Sequence, residues 1–249
     1  MKIFDAHFHI IDKRFPLVPN NGFIPEEFNV SSYLKELKDF KLVGGAVVSG
    51  SFQAFDQSYL QDALKILGSN FVGVTQIPAD TSEKDILALN AIGIKAVRFN
   101  IKRGGSATLK DLVYFSQKVF SLCGWHTEIY IDSKELFSIQ QQILQIPKCS
   151  IDHLGLSKEG IPVLKKLIEK GVFVKATGFG RLDFDPIPVM QEFISINPNS
   201  LMFGTDLPST RAPKPFTLND IKIIVDAFEK KVWKNIFYRN AEKFYNLKN

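Results

Sequence analysis

Residues 2–12 read KIFDAHFHIID, and this stretch sets the fold. Its apolar residues form a short run broken only by Asp5, His7 and His9, the pattern of a buried strand rather than a helix. Side chains alternate along a strand, so His7 and His9 at its carboxyl end face the same way. The chain has only four histidines, which makes this pair a signal to weigh against the rest of the sequence.

Working outward, the same kind of run recurs seven times: LVGGAVVSG (42–50), NFVGVTQI (70–77), IGIKAVRFN (92–100), WHTEIYI (125–131), KCSIDHL (148–154), VFVKATG (172–178) and SLMFGTD (200–206). Amphipathic segments separate them, at 30–40, 56–67, 82–90, 109–122, 133–144, 160–170, 186–196 and 217–230. Ser31 or Ser32, and Asp132 or Ser133, supply helix starts, and Gly171 supplies a stop. KKVWKNIFYRNAEKFYNL (230–247) reads as one further amphipathic helix. Eight strand-then-helix units with no linker or composition break predict one α/β domain over 1–249, a single (β/α)8 TIM barrel with an extra C-terminal helix. No G-x-G-x-x-G follows a strand, which counts against a dinucleotide-binding sheet.

Composition fits a soluble globular chain: 249 residues, 45% hydrophobic and 23% charged. The start MKIFDAHFHI is too polar for a secretory signal, and no apolar run approaches the ~20 residues of a membrane span. A cytoplasmic protein with no membrane partner is expected. Cys123 and Cys149 lack metal-ligand spacing and read as small core residues. The net charge of +5 comes without a basic run or an aromatic-interleaved basic stripe, so no nucleic-acid partner is expected. Composition leaves the oligomeric state open.

In a barrel of this kind, catalytic groups project from the carboxyl ends of several strands. His7, His9, His153, Asp206 and Arg98 all fall there, as does Tyr130. His126 begins the fifth strand and lies well below the mouth, as a core or bottom-face histidine. Lys175 reads as a buried ion-pair partner or a site residue. The irregular stretch 13–29 is a candidate lid or substrate wall.

Two chemistries fit the cluster. His7, His9, His153 and Asp206 can hold a divalent metal such as zinc, whose open position activates water. Alternatively, Asp206 acts as general base to a water while the histidines polarise a carbonyl, with no cofactor required. Arg98 favours the second, because a guanidinium repels a cation and pairs bidentately with a carboxylate. A small anionic substrate is therefore expected.

DAHFHIID, VRFN, IDHLG, VKATGFGR, FGTDLP and the closing NAEKFYNL, in this order and spacing from residue 3 to about 247, resemble the amidohydrolase superfamily in its amidohydrolase-related (amidohydrolase 2) branch. GWHTEIY, RFNIKR and DAHFHIIDKRFPLVPNNGFIP look most like hydrolases of the 2-pyrone-4,6-dicarboxylate lactonase type. The resemblance implies a ring ester opened by water, Asp206 as base, and His7, His9 and His153 near the scissile carbonyl. It also implies Arg98, Arg103, Arg181 and Tyr130 as substrate contacts, and catalysis without a metal.

Two departures bear on the substrate. Ser209 stands where that pattern has a histidine, and RFNIKR is one residue short, which puts the direction of Arg103 in question. A metal-dependent zinc amidohydrolase or decarboxylase, a barrel deoxyribonuclease and a non-catalytic anion-binding barrel stand as alternatives.

Overall fold

The computed structural model describes residues 1–246; positions 247–249, which include the last residue of the expected terminal helix, lie outside the described residues. Eight parallel strands run in sequence order: β1 (Lys2–Phe8), β2 (Lys41–Val48), β3 (Phe71–Thr75), β4 (Ile94–Asn100), β5 (His126–Tyr130), β6 (Cys149–Ile151), β7 (Phe173–Ala176) and β8 (Leu201–Phe203). A helix follows each: α1 (Val30–Glu36), α2 (Ser58–Leu67), α3 (Glu83–Ala91), α4 (Leu112–Cys123), α5 (Leu136–Ile143), α6 (Ile161–Glu169), α7 (Pro186–Ile196) and α8 (Leu218–Ala227). This is the (β/α)8 TIM barrel expected from the alternation.

Closure runs through the site. The Asp206 N–H donates to the His7 carbonyl and the His9 N–H to the Leu207 carbonyl, both at 2.7 Å, joining the β8 end to β1. Asp5 reinforces the seam, accepting the Thr205 N–H at 2.9 Å and the Thr205 hydroxyl at 2.7 Å. Gly204 lets the two strands approach: a Cβ there would stand 2.7 Å from His7 Cβ and 2.8 Å from its backbone nitrogen.

Two layers of apolar packing hold the barrel. Phe8, Val47, Val97, Phe99 and Ile129 face the helices, whereas Phe4, Ala6, Ala46, Val74, Ala96 and Met202 fill the interior. Parallel strands covered on both faces carry nearly continuous apolar runs, which is why the sequence displayed them so plainly.

The terminal segment forms α9 (Lys230–Lys234), a π-helical stretch (Asn235–Arg239) and α10 (Asn240–Tyr245). α10 closes the amino-terminal end of the barrel, where Phe244 and Tyr245 pack around His126 at ring distances of 4.4 and 4.9 Å. His126 thus lies beneath the mouth, as its place in the strand implied.

The cap of α1 is Asn29, whose side chain accepts the Ser32 N–H at 3.1 Å; Ser31 and Ser32 already lie inside the first turn. Asp132 does cap the turn before α5, and Gly171, at φ 93°, follows α6. Cys149 is buried and Cys123 half-buried, and both are free. Among the described residues, no helix is long and apolar enough to cross a membrane.

Candidate active site

His7 is the inward-facing residue next to the end of β1, and His9 lies one residue past that strand. His153 and Asp206 come from turns beyond β6 and β8, with left-handed backbone at φ 53° and 62°. That conformation is uncommon outside glycine and is tolerated best by Asn, Asp and His. It swings both side chains over the mouth.

The result is a tight group. Asp206 Oδ1 stands 3.9 Å from Nε2 of His7, 3.9 Å from Nε2 of His9 and 4.0 Å from Nε2 of His153. The His7 ring meets those of His9 and His153 edge-on at 5.1 and 4.8 Å. His9 Nδ1 is fixed by the Val48 carbonyl at 2.7 Å. Only a protonated Nδ1 can make that bond, so His9 presents a bare Nε2 to Asp206. Gly178, at φ 61°, leaves room for His153: a Cβ there would come within 2.6 Å of its Nδ1.

All three imidazoles are neutral. Burial, then Lys175 and Arg98, push His7 well below the usual histidine range; burial and then Arg98 bring His9 down to about 3. His153 is lowered by burial, with His7 and Arg181 adding to the effect. Burial raises the Asp206 carboxyl, and Arg181 partly offsets it.

Three buried carboxylates in and below the site each have a cation. Arg181 Nε donates to Asp206 Oδ2 at 2.7 Å. Arg98 gives Nη2 and Nε to Asp152 Oδ2 at 2.9 and 3.3 Å and Nη1 to the Ser49 carbonyl at 2.7 Å. Lys175 donates to Glu128 within the barrel. The guanidinium of Arg98 also lies over the Tyr130 ring, 5.2 Å from its centre.

A narrow cleft opens above the group, bounded by His9, Arg98, Tyr130, His153, Arg181 and Asp206. Half-buried Arg103 and Arg211 complete its wall, so Arg103 does reach the cleft despite the shortened RFNIKR segment. Residues 13–29 stand behind these arginines rather than lining the cleft. Asn20 donates to the Arg103 carbonyl at 3.2 Å and accepts from Arg211 Nη1 at 2.9 Å, while Phe23 underlies the Arg211 guanidinium at 4.8 Å. Ser209 turns away, its Oγ accepting the Phe216 N–H at 2.9 Å.

Sequence reasoning missed Asp152; it read Lys175 as a buried ion-pair partner, which it is, but did not name Glu128 as the partner. Alternation puts 152 and 153 on opposite faces of a strand, but the left-handed turn at His153 brings both inward. Glu128 and Lys175 did carry a signal: opposite charges inside otherwise apolar strands.

The donor set suits a divalent ion. Nε2 of His7 and Oδ1 of Asp206 are buried with no hydrogen-bond partner among the described residues, and His7, His9 and Asp206 place one ligand atom each within 4.8 Å of the others. The charge count does not call for one, since Asp206, Asp152 and Glu128 are already matched by Arg181, Arg98 and Lys175.

The sequence profile of the amidohydrolase family matches residues 4–247. The chain belongs to the amidohydrolase family. No curated protein matches it in sequence. Among solved structures, this amidohydrolase is similar to an Acinetobacter baumannii protein described as a probable 2-pyrone-4,6-dicarboxylic acid hydrolase, with citric acid bound. That pair shares 23% identity over 99% of this chain and 100% of the other, with a TM-score of 0.84. An Agrobacterium tumefaciens protein in its apo form is 18% identical over 99% and 96% of the two chains, TM-score 0.85. A Pseudomonas putida protein provisionally described as a 2-pyrone-4,6-dicarboxylic acid hydrolase is 18% identical over 98% and 97%, TM-score 0.79. These likenesses establish the fold, and family membership makes the protein a hydrolase.

Proposed function

We propose that this hydrolase opens a carboxylated lactone or cyclic ester, with Asp206 as the general base. One observation carries the reading: Asp206 stands among three neutral imidazoles below a cleft whose further wall holds Arg103 and Arg211, neither paired with a carboxylate among the described residues. Such a cleft binds an anion at one end and delivers water at the other.

In this scheme the substrate carboxylates lie against Arg103 and Arg211, with the free N–H groups of Arg98 and Arg181 and the Tyr130 hydroxyl nearby. The scissile carbonyl meets the imidazoles. Asp206 takes a proton from water as its oxygen adds to the carbonyl carbon. The tetrahedral oxyanion collapses, the ring C–O bond breaks, and Asp206 returns the proton to the leaving oxygen. The donors around the carbonyl stabilise charge only as it develops, which is where such contacts accelerate a reaction.

A divalent ion, when bound, would be held by Nε2 of His7, His9 and His153 with Asp206 Oδ1, and would supply Lewis-acid polarisation. The matched ion pairs favour hydrolysis without it, because a dication would add two uncompensated charges to a buried cluster.

2-Pyrone-4,6-dicarboxylate is the first compound to assay, since its name is attached to two of the similar structures. Asp206→Asn is expected to remain folded and lose about 10²–10⁴-fold in kcat across a carboxylated-lactone panel. Full activity in that variant overturns the assignment. Turnover that persists after chelation, in protein carrying no stoichiometric zinc, supports the metal-free scheme.

A further inference from the structure

Lys175 is fully buried on β7, inside the barrel and below the cleft. Its ammonium reaches three groups: the Glu128 carboxylate, Asp152 Oδ1 at 3.8 Å and His7 Nδ1 at 3.4 Å. Glu128 is itself held from below by the Tyr245 hydroxyl at 2.6 Å and by His126 Nε2 at 3.1 Å. The C-terminal helix thus anchors a chain of contacts that ends on the first histidine of the site.

We propose that Lys175 is a positioning residue that fixes His7 in the tautomer with its proton on Nε2, aimed at the reacting centre. An ammonium has three donors and no acceptor, so His7 can accept from it only through a bare Nδ1. The competitor is Asp152 Oδ1, 3.5 Å from the same nitrogen, which would ask for the proton on Nδ1. Asp152 already receives two bonds from Arg98 on its other oxygen. A protonated Nδ1 would turn the positive end of an N–H dipole on a buried cation, where little solvent screens the repulsion. The tautomer with the Nε2 proton removes that clash.

The consequence is a division of labour one residue apart. His9, donating from Nδ1 to Val48, offers an Nε2 lone pair. His7 offers an Nε2–H, which donates to a carbonyl oxygen and cannot ligate a metal while the proton is there. The role of that donor rests on the proposed hydrolysis; the tautomer itself does not.

The test is long-range ¹H–¹⁵N correlation of histidine-labelled protein without substrate, where four histidines give a resolvable spectrum and His7→Gln assigns one set. In the wild type, His7 is expected to show a bare Nδ1 and a protonated Nε2. In Lys175→Met the proton is expected to move to Nδ1, facing Asp152. Because this leaves Glu128 unpaired, the double variant Glu128→Gln/Lys175→Met removes both charges, and the same reversal is expected. A wild-type His7 protonated on Nδ1, or a tautomer unchanged in either folded variant, overturns the proposal. If neither variant folds, the wild-type spectrum alone decides. A lactone panel without turnover would sink the proposed function and leave this result standing.

Discussion

Among the described residues, Arg103 and Arg211 face the cleft with no carboxylate partner, whereas Arg98 spends its fork on Asp152 and Ser49. The distinction predicts different phenotypes. Arg103→Ala or Arg211→Ala is expected to raise KM for a dicarboxylate lactone by about 10–100-fold, the worth of one charge-assisted hydrogen bond, with a smaller change in kcat. Steady-state kinetics against a monocarboxylate analogue measures it; equal KM values for wild type and variants would reject the anion-binding role. Arg98→Met is expected to cost about 3–5 kcal/mol of stability, because it strands Asp152 as an unpaired buried charge. Denaturant unfolding checks this, and an unchanged midpoint would show that the pair is dispensable. The sequence disclosed the convergence of His7, His9, His153 and Asp206 because each lies at or just past a strand end. It hid Asp152, since a left-handed turn cannot be read from the residue types around it.

The strands were legible as elements because burial on both faces leaves continuous apolar runs. Their ends were less so. Asn29, Ser31 and Ser32 are chemically alike as caps, and only the path of the loop decides for Asn29. The terminal helix was legible as amphipathic, but its role as a plug carrying Tyr245 to Glu128 depends on where the barrel floor lies. Glycines join elements to chemistry at Gly204, against His7, and at Gly178, against His153. Gly178→Ala adds a methyl 2.6 Å from His153 Nδ1 at a positive φ, so it is expected to displace that ring. A fall of about 1–3 kcal/mol in stability should accompany a loss of kcat. Gly124→Ala, also at positive φ but with nothing among the described residues within 4 Å of the added Cβ, is the control: it should lower stability and leave kcat alone.

Across the whole molecule, the barrel closes over a buried acid. Asp5 is raised from 3.8 to about 6, with burial outweighing the bonds from Thr205, His7 and Tyr33. The folded state therefore binds this proton more tightly than the unfolded chain. The resulting stability is fully present below pH 3.8 and is lost as pH rises through about 6. The shift corresponds to about 3 kcal/mol. Asp5→Asn removes the titration, so the stability difference, wild type minus variant, should shrink by about 2.4 kcal/mol, most of that amount, between pH 4 and pH 7. Paired denaturant unfolding at the two pH values tests the sign; a difference that grows with pH would refute it.

The seam has a consequence for synthesis of the chain. Asp5 and Thr205, which it joins, are 200 residues apart, and Asp206 follows directly. A nascent polypeptide that has completed β7 already holds His7, His9 and His153 and the β1–β2 ladder, yet it lacks Asp206, the proposed base, and the backbone bonds that tie the end of the last strand to the first. On the proposed scheme, hydrolytic competence therefore arrives late in translation, when the eighth strand emerges and docks against a first strand made long before.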